Sequence, residues 1–439
     1  VRMLCAPGLY GVPPGEAEAD PTLRARRADL AHSAASILDR AGLVRYDRRS
    51  GGLSPTDLGR IASSYYVGHA SLATYAAALR PTMGDIELLR LFAGSDEFSA
   101  LAVRQEEKAE LGRLLDRVPI PVKEGLDDPA AKVNVLLQAY IARLRLDGLA
   151  LASDMQYVKD SAGRLTRCLF ELALRRGWAG VAARALELAK CVGRRQWGCQ
   201  SPLRQFPGVL PDVLARVERR DLAWDRYYDL TAGELGELVR APKLGKTLHR
   251  LVHTFPRIEL AAHVQPITRG LLKVDLTLTP DFTWDARAHG GALAFWVLVE
   301  DADGEALLHA EPWLLRAAYA EDDHALSFTV PVTDPLPPQY FVRVVSDTWL
   351  GCESVLPVSF RHLILPAKFP PPTELLDLAP LPLSALRLEP AAAAALYPGW
   401  ASFNPIQTQA FAALANSDDN ALVCAPSGAG KTACAEFAL

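Results

Sequence analysis

The residues whose types and spacing most clearly suggest chemistry lie near the end of this 439-residue chain. Residues 425–432 read Ala-Pro-Ser-Gly-Ala-Gly-Lys-Thr. Glycines at 428 and 430 permit tight turns whose backbone amides can face a phosphate group. Lys431 can then reach the terminal phosphates, and the hydroxyl of Thr432 can ligate magnesium. This pattern predicts a phosphate-binding loop, and the alternative is a glycine turn whose lysine is merely solvated.

The residues around the loop support this prediction. Residues 421–424 are apolar and predict a buried strand, and a helix is expected from Ala433. The motif usually begins with glycine, and Ala425 stands there instead. We therefore expect a negative φ at Ala425, because only glycine adopts a positive φ without strain.

An aromatic residue and a glutamine precede the loop, at Phe403 and Gln407. A glutamine amide can pair with both polar edges of adenine, so we expect selection of ATP over GTP. The candidate nucleotide ligands are Phe403, Gln407, Ser427, Gly428, Ala429, Gly430, Lys431 and Thr432, the last also as the magnesium ligand.

The composition is that of an ordinary globular protein, with 51 acidic residues against 47 Lys and Arg, a formal charge of −4 and 50% hydrophobic residues. It excludes a collagen-like or disordered chain, and it argues against attraction of the whole surface to nucleic acid or membrane. Seven cysteines without a Cys-x-x-Cys pair favour a reducing compartment, cytosol or nucleus. No stretch supplies the roughly 20 apolar residues of a membrane span.

The hydrophobic spacing changes along the chain. Residues 1–62 are mainly helical with a short hairpin near 43–53, and residues 59–190 show the repeated 3.6-residue period of a helical bundle. Two short amphipathic segments at 231–237 and 246–254 predict a helix-loop-helix. After Pro256 the period becomes 2, and seven or so strands predict an immunoglobulin-like sandwich. A proline-rich stretch then predicts a stiff linker before another unit.

One predicted helix separates a packing face from a basic face. Leucines 165, 169 and 172 lie together, whereas Arg164, Arg167 and Arg175 point elsewhere. Arginine planes can stack on bases and pair with phosphates, although a charged helix face is usually only solvated.

Two further basic segments are candidates for nucleic-acid contact. Residues 190–204 include Arg194, Arg195 and Trp197 and carry no acidic residue, although a basic rim with a buried tryptophan is the slightly favoured explanation. Lys243 and Lys246 flank the helix-loop-helix turn, where they could bind phosphate or a protein.

Two histidines in the same region, His249 and His253, have the spacing of metal ligands, but no third ligand is indicated.

The sequence closely resembles the spliceosomal tandem-cassette DExH-box RNA helicases of superfamily 2. A glutamine motif just before a phosphate loop is typical of that superfamily. The resemblance extends over practically the whole chain, and it is carried by the segments 119–123, 133–138, 202–206, 337–341, 361–366, 370–377, 417–420 and 434–437.

The resemblance implies a multidomain fold: an α-helical bundle, a helix-loop-helix and an immunoglobulin-like β-sandwich, followed by the beginning of an α/β RecA-like domain. The first three would form the Sec63 domain of the first cassette, and the basic face of Arg164, Arg167 and Arg175 would be its RNA-contacting ratchet helix. The implied domains are 1–60 (end of a winged helix), 61–200 (bundle with the ratchet helix), 201–255 (helix-loop-helix), 256–366 (sandwich), 367–394 (linker) and 395–439 (start of the second cassette).

The resemblance also implies a nuclear protein that uses ATP and magnesium to unwind paired small nuclear RNAs during pre-mRNA splicing. Its partners would be duplex and single-stranded RNA, the spliceosomal scaffold protein, other small nuclear ribonucleoprotein components and the remainder of both cassettes, with no membrane contact. One alternative is the related helicase of the activating signal cointegrator complex, and another is a protein-docking platform without RNA contact.

The chain begins with Val1 and stops inside an apolar pattern, so we expect it to be a piece of a longer protein. The DExH box and arginine finger of a helicase would lie downstream, and this piece alone is expected not to hydrolyse ATP. In the resembled family the second cassette binds nucleotide without unwinding. Ser427 and Ala429 replace the usual Thr and Ser, which is expected to weaken nucleotide contacts.

Overall fold

The computed structural model describes residues 2–220, 222–366, 374–386 and 388–438. The chain divides into two compact units, Val1–Leu365 and Pro366–Leu439. Part of the predicted linker, residues 367–373, lies outside the described residues.

Helices dominate the first half of the larger unit, as the 3.6-residue period predicts. A short antiparallel hairpin, β1 (Val44–Tyr46) with β2 (Leu53–Pro55), confirms the predicted turn near 43–53. The helices are α1 (Arg2–Cys5), α2 (Pro14–Ala19), α3 (Arg24–Arg40), α4 (Asp57–Tyr65), α5 (His69–Ala78), α6 (Asp85–Ala93), α7 (Lys108–Leu115), α8 (Pro129–Ile141), α9 (Leu149–Arg175) and α10 (Ala179–Arg194).

The centre of the bundle is α8, packed against α9. Helix α8 begins where Asp128 caps it, accepting a hydrogen bond from the amide of Ala130 at 2.8 Å, with Pro129 in the first turn. Ten of its 13 residues are buried, so it is surrounded on most sides. Apolar residues of α5, α6, α8, α9 and α10 form one continuous core, which buries one face of the 27-residue helix α9.

Three helices form the predicted helix-loop-helix region: α11 (Pro211–Glu218), α12 (Ala232–Leu238) and α13 (Gly245–Thr254). Thr231 starts α12 with a reciprocal cap, in which its amide donates to the Glu234 carboxylate at 2.8 Å. The predicted helices at 231–237 and 246–254 are therefore confirmed to within two residues.

The alternating segment after Pro256 forms two antiparallel sheets. One has the order β3-β4-β7 and the other β6-β5-β8-β9. Val274, Leu276 and Leu278 are buried on one face of β4, as their spacing predicts. The strands are β3 (Ile258–Thr268), β4 (Leu271–Pro280), β5 (Ala292–Glu300), β6 (Leu307–Arg316), β7 (His324–Pro331), β8 (Gln339–Ser346) and β9 (Glu353–Ser359), with α14 (Ala286–His289) between β4 and β5.

The described residues of the smaller unit form three α-helices, α15 (Pro390–Leu396), α16 (Pro405–Asn416) and α17 (Lys431–Glu436). The predicted buried strand at 421–424 is wrong: these residues are not in a strand, and Leu422 is 90% exposed. A strand needs a hydrogen-bonded neighbour, and the described residues of this unit form only an isolated bridge, between Pro382 and Ser402. The last helix begins at Lys431, two residues earlier than predicted.

Within the described ranges, no helix is both long enough and apolar enough to cross a membrane.

Candidate functional site

The predicted phosphate-binding loop has the backbone conformation that its glycines permit. Gly428 and Gly430 have φ values of +86° and +84°, which a residue with a β-carbon rarely adopts. Ala425 is not among the residues with positive φ. The expectation of a negative φ at this alanine is therefore met. The loop leads directly into α17, which begins at Lys431. Its amides thus lie at a helix start, where anions are favoured.

Lys431 folds back over its own loop. Its ammonium group donates to the carbonyl oxygens of Ala425 and Pro426, both at 2.8 Å. Lys431 and Thr432 are exposed. A positive charge and a hydroxyl therefore lie at the surface beside the glycine turns, and this donor set fits a magnesium-bound polyphosphate.

The start of α16 is hydrogen-bonded to the loop. The side-chain amides of Asn404 and Gln407 donate to the carbonyls of Ala429 at 3.0 Å and Gly430 at 3.2 Å. The side-chain oxygen of Gln407 also accepts a hydrogen bond from the backbone N–H of Asn404 at 3.0 Å. Gln407 is 1% exposed. In this structure the Gln407 amide supports the loop and caps a helix, so its pairing with adenine stays a prediction.

Phe403 lies in the core of the smaller unit. It is 1% exposed, and its ring meets those of Tyr397 and Phe437 edge-on at 5.3 and 5.0 Å. The contact between Phe403, just before α16, and Phe437, just after α17, packs these two helices together. The structure therefore leaves no open face of Phe403 for a base, and its role in nucleotide binding also stays a prediction.

The three candidate arginines of α9 have different surroundings. Arg164 donates to the carbonyl of Tyr66 and, at 3.2 Å, to Ser161. Arg175, in the last turn, pairs with Glu171 at 3.2 Å, and its side chain is 62% exposed. Arg175 is thus the most accessible of the three.

Arg167 contacts the sandwich. Its guanidinium forms an ion pair with the carboxylate of Asp347 and donates to the Asp347 carbonyl at 2.5 Å. The same carboxylate accepts from the indole N–H of Trp296 at 2.9 Å. Both charged side chains are about three-quarters covered. Arg167 therefore joins α9 to the loop between β8 and β9.

Arg194 contacts the same loop. It donates to the carbonyl of Thr348 at 2.9 Å, and its guanidinium lies 4.4 Å from the centre of the Trp349 ring. Burial lowers the pKa of Arg194. Arg195 is exposed and lies 4.5 Å from the ring centre of Tyr140. Of these two residues, Arg195 is more available to a ligand.

The rest of the basic segment 190–204 is only partly open. Lys190 is buried, which lowers its pKa, and Trp197 is half-buried against the bundle core. Arg204 pairs with Glu218 at 2.5 Å. The tryptophan therefore packs rather than offering an open stacking face.

The helix-loop-helix candidates Lys243 and Lys246 are both exposed. Nearby, the rings of His249 and His253 lie 4.4 Å apart. The described residues contain no cluster of three or more His, Cys, Asp or Glu able to hold a metal ion.

Sequence reasoning missed the loop 347–350, which binds three parts of the bundle and its flank. Besides Arg167 and Arg194, Gln205 exchanges two hydrogen bonds of 2.9 Å with the backbone of Leu350. Trp349, a residue of this loop, is itself only 1% exposed. A polar-aromatic sequence just after a strand hints at such a loop, but nothing in the sequence identifies its partners about 150 residues away.

A second missed feature is the buried Lys132 of α8. Its ammonium donates to Glu107 and Asp154, both at 2.6 Å, and to the carbonyl of Ala102 at 2.9 Å. Asp154 lies in the first turns of α9. This network therefore fixes the start of the helix that carries Arg164, Arg167 and Arg175.

Comparison with known proteins gives a consistent result. Residues 55–359 match the sequence model described as "Sec63 Brl domain". Over 439 residues, the whole of this chain, it is 60% identical to the DExH-box ATP-dependent RNA helicase DExH12 of Arabidopsis thaliana. It is 55% identical to the U5 small nuclear ribonucleoprotein 200 kDa helicase of Homo sapiens and 51% identical to the pre-mRNA-splicing factor brr2 of Schizosaccharomyces pombe. The chain spans about a fifth of the length of these relatives.

Proposed function

Because this chain belongs to the Sec63 Brl domain family, we propose that it is part of an ATP-dependent RNA helicase that unwinds paired small nuclear RNAs in the spliceosome, in the nucleus. The observation that carries the proposal is an identity of 51–60% to helicases and a splicing factor along the entire chain. That identity includes both the Sec63 region and the loop at 425–432, which lies outside the family match.

The proposal assigns a role to each region. Residues 1–60 end a winged helix, 61–200 are the ratchet bundle, 201–255 the helix-loop-helix and 256–366 an immunoglobulin-like sandwich. Residues 367–394 link this module to the start of a RecA-like domain at 395–439. The two antiparallel sheets of four and three strands support the sandwich assignment, and the loop conformation supports the last one.

RNA would pass the polar face of α9. Arg175 and Arg195 are exposed and could pair with phosphates, whereas Arg164 could do so from a half-buried position. Arg167 and Arg194 would act differently, by holding α9 and α10 against the loop 347–350. Lys243 and Lys246 would add phosphate contacts from the helix-loop-helix.

ATP and magnesium fit the loop of the smaller unit. Residues 427–431 would hold the phosphates and Thr432 the magnesium ion. In the resembled family the second cassette binds nucleotide without unwinding, so ATP at this loop would be bound without itself driving strand movement. In this chain the role of Asn404 and Gln407 is to hold the carbonyls of Ala429 and Gly430 in place.

The partners would be duplex and single-stranded small nuclear RNA, the spliceosomal scaffold protein and other components of the U5 particle. The relatives named for the U5 particle and for splicing favour this assignment over the helicase of the activating signal cointegrator complex. Arg167 and Arg194 hold the loop 347–350 against the bundle. This contact favours a rigid module, which could bind proteins as well as guide RNA.

The test is an unwinding assay with the whole protein that contains this chain. A paired small nuclear RNA duplex with a single-stranded extension should separate in the presence of ATP and magnesium and stay paired with ADP. Equal strand separation with ATP and ADP, or none with either, would refute the proposal.

A further inference from the structure

A cavity in the helix-loop-helix region is lined almost entirely by arginines. It has a volume of about 510 Å³, and its lining residues are Arg216, Arg219, Arg220, Leu238 and Arg240. All four arginines are exposed. Arg216 lies in α11, Arg219 and Arg220 follow the end of that helix, and Arg240 lies in the turn after α12. The fold therefore brings together arginines from two places in the sequence.

The cavity is held in shape by one of its own arginines. Arg216 donates to the carbonyls of Val239 at 2.9 Å and Arg240 at 3.4 Å. These carbonyls belong to the end of α12, where a positive charge is favoured. This contact holds the turn after α12 against α11, and the guanidinium of Arg240 therefore lies beside those of α11.

The four arginines that line the cavity form no ion pair with any carboxylate in the described ranges, which do not include Asp221. Glu218, the acid nearest in sequence on α11, is held instead by Arg204 at 2.5 and 2.7 Å. Four like charges around one cavity repel one another, so an anion there would be stabilised by all of them.

We propose that this cavity is a binding site for a compact polyanion, a small molecule that carries several phosphate groups. Guanidinium groups suit such a ligand, because each can donate two parallel hydrogen bonds to phosphate oxygens. Four guanidinium groups around one concave site match a ligand with several clustered phosphates better than a ligand with a single phosphate. The lining residues of the cavity include none from the phosphate-binding loop or from the basic face of α9.

A free polyphosphate fits the cavity better than an RNA strand does. Sites for single-stranded RNA combine basic residues with aromatic side chains on which bases stack. Leu238 is the one lining residue that is not arginine, and it offers no stacking surface. Both ligands share clustered phosphates, and an experiment can distinguish them.

The experiment is calorimetric titration of the 439-residue chain with myo-inositol hexakisphosphate as the probe. We expect saturable one-to-one binding that the double variant Arg219→Ala/Arg220→Ala weakens by about tenfold or more, because it removes hydrogen bonds to charged groups. Arg240→Gly should weaken binding as well. Glycine tolerates the φ of +51° at this position, so the loss would not come from backbone strain.

The matched control is Arg226→Ala. Arg226 lies in the same region, is exposed, and pairs at the surface with Asp229 at 3.8 Å rather than lining the cavity. Its loss should leave the affinity for the probe unchanged. Thermal unfolding of every variant should match that of the parent chain, so that a lost affinity reports the site.

Three results would overturn the proposal: no saturable binding of the probe, equal affinity in the parent and both cavity variants, or equal weakening by Arg226→Ala. Titration with a single-stranded oligouridylate forms the second arm. If the cavity variants weaken oligouridylate binding and leave hexakisphosphate binding unchanged, the ligand is the RNA backbone and the compact-ligand proposal is wrong. Probe binding and strand separation are measured in separate assays, so the failure of one proposal can be distinguished from the failure of the other.

Discussion

Arg167 of α9 and Asp347 of the β8–β9 loop form an ion pair that joins the helical bundle to the sandwich. The Asp347 carboxylate also accepts a hydrogen bond from the indole of Trp296 at 2.9 Å. A residue on the basic face that suggests RNA contact is thus used in packing. The position of α9 depends on this contact at its middle and on the Lys132 network at its start.

The Arg167–Asp347 contact should contribute measurably to stability. Arg167→Ala leaves the half-buried Asp347 carboxylate without its charged partner, which costs about 1–3 kcal/mol. Urea denaturation of the 439-residue chain should show this decrease in the free energy of unfolding. Arg175→Ala is the matched control on the same helix, and its exposed pair should change the value by about 0.5 kcal/mol or less. Equal losses in the two variants would mean that the contact with Asp347 adds nothing.

Lys132 should be the more sensitive position. Lys132→Met removes the buried cation that Glu107 and Asp154 share, and only the partly exposed Arg104 is then left to pair with these two carboxylates. Breaking a buried ion pair from one side costs about 3–5 kcal/mol, so the chain should unfold at clearly lower urea. The control is Lys159→Met on α9, where the lysine is partly exposed and its contact with Asp160 is long, at 3.8 Å. A loss no larger than that of the control would contradict the role of Lys132.

The pair of Arg204 and Glu218 predicts a pH dependence. The hydrogen bonds from Arg204 lower the pKa of Glu218 below its ordinary value of 4.5. A carboxyl group with a lowered pKa in the folded state stabilises the protein above its ordinary value, and this stabilisation is lost as the pH falls through the folded value. The stability difference between the parent and Arg204→Met should therefore be largest near neutral pH.

The measurement for this pair is the free energy of unfolding of both proteins at a series of pH values. The difference should shrink as the pH falls below about 4.5. Glu218→Gln provides a check, because a side chain that cannot titrate should remove that part of the dependence. A difference that stays constant or grows towards acid pH would be the opposite of what the pair predicts.

The proposed phosphate-binding loop, residues 425–432, leads to a prediction with two variants. Lys431→Ala in the whole protein should abolish nucleotide occupancy at this loop, because it removes the charge that reaches the terminal phosphates. Gln407→Ala should weaken ATP and GTP equally if the glutamine acts by holding the Gly430 carbonyl, and ATP more than GTP if it also reads adenine. Binding of a fluorescent ATP analogue, with unlabelled competitors, distinguishes these outcomes. Full affinity in Lys431→Ala would contradict the assignment.

The elements that the sequence predicted best are those governed by local patterns. The alternation after Pro256 and the helical period of residues 59–190 are confirmed, since both follow from local hydrophobic spacing. The prediction of a strand at 421–424 is wrong because a strand also needs a pairing partner, which the local sequence does not reveal. For the same reason Arg167 could be recognised as basic from the sequence, but its partner Asp347 could not, since the two are 180 residues apart. The cavity of four arginines was not predicted because residues 216–220 and 238–240 are brought together only when the chain folds.

The central claim is that α9 guides RNA in an ATP-dependent helicase. Single-turnover unwinding of a paired small nuclear RNA duplex by the whole protein tests it most directly, with Arg175→Glu compared against Arg113→Glu, an exposed arginine of α7. The account predicts that the parent unwinds with ATP, that Arg175→Glu slows unwinding several-fold at unchanged thermal stability, and that Arg113→Glu does not. Equal rates for the parent and Arg175→Glu would contradict it.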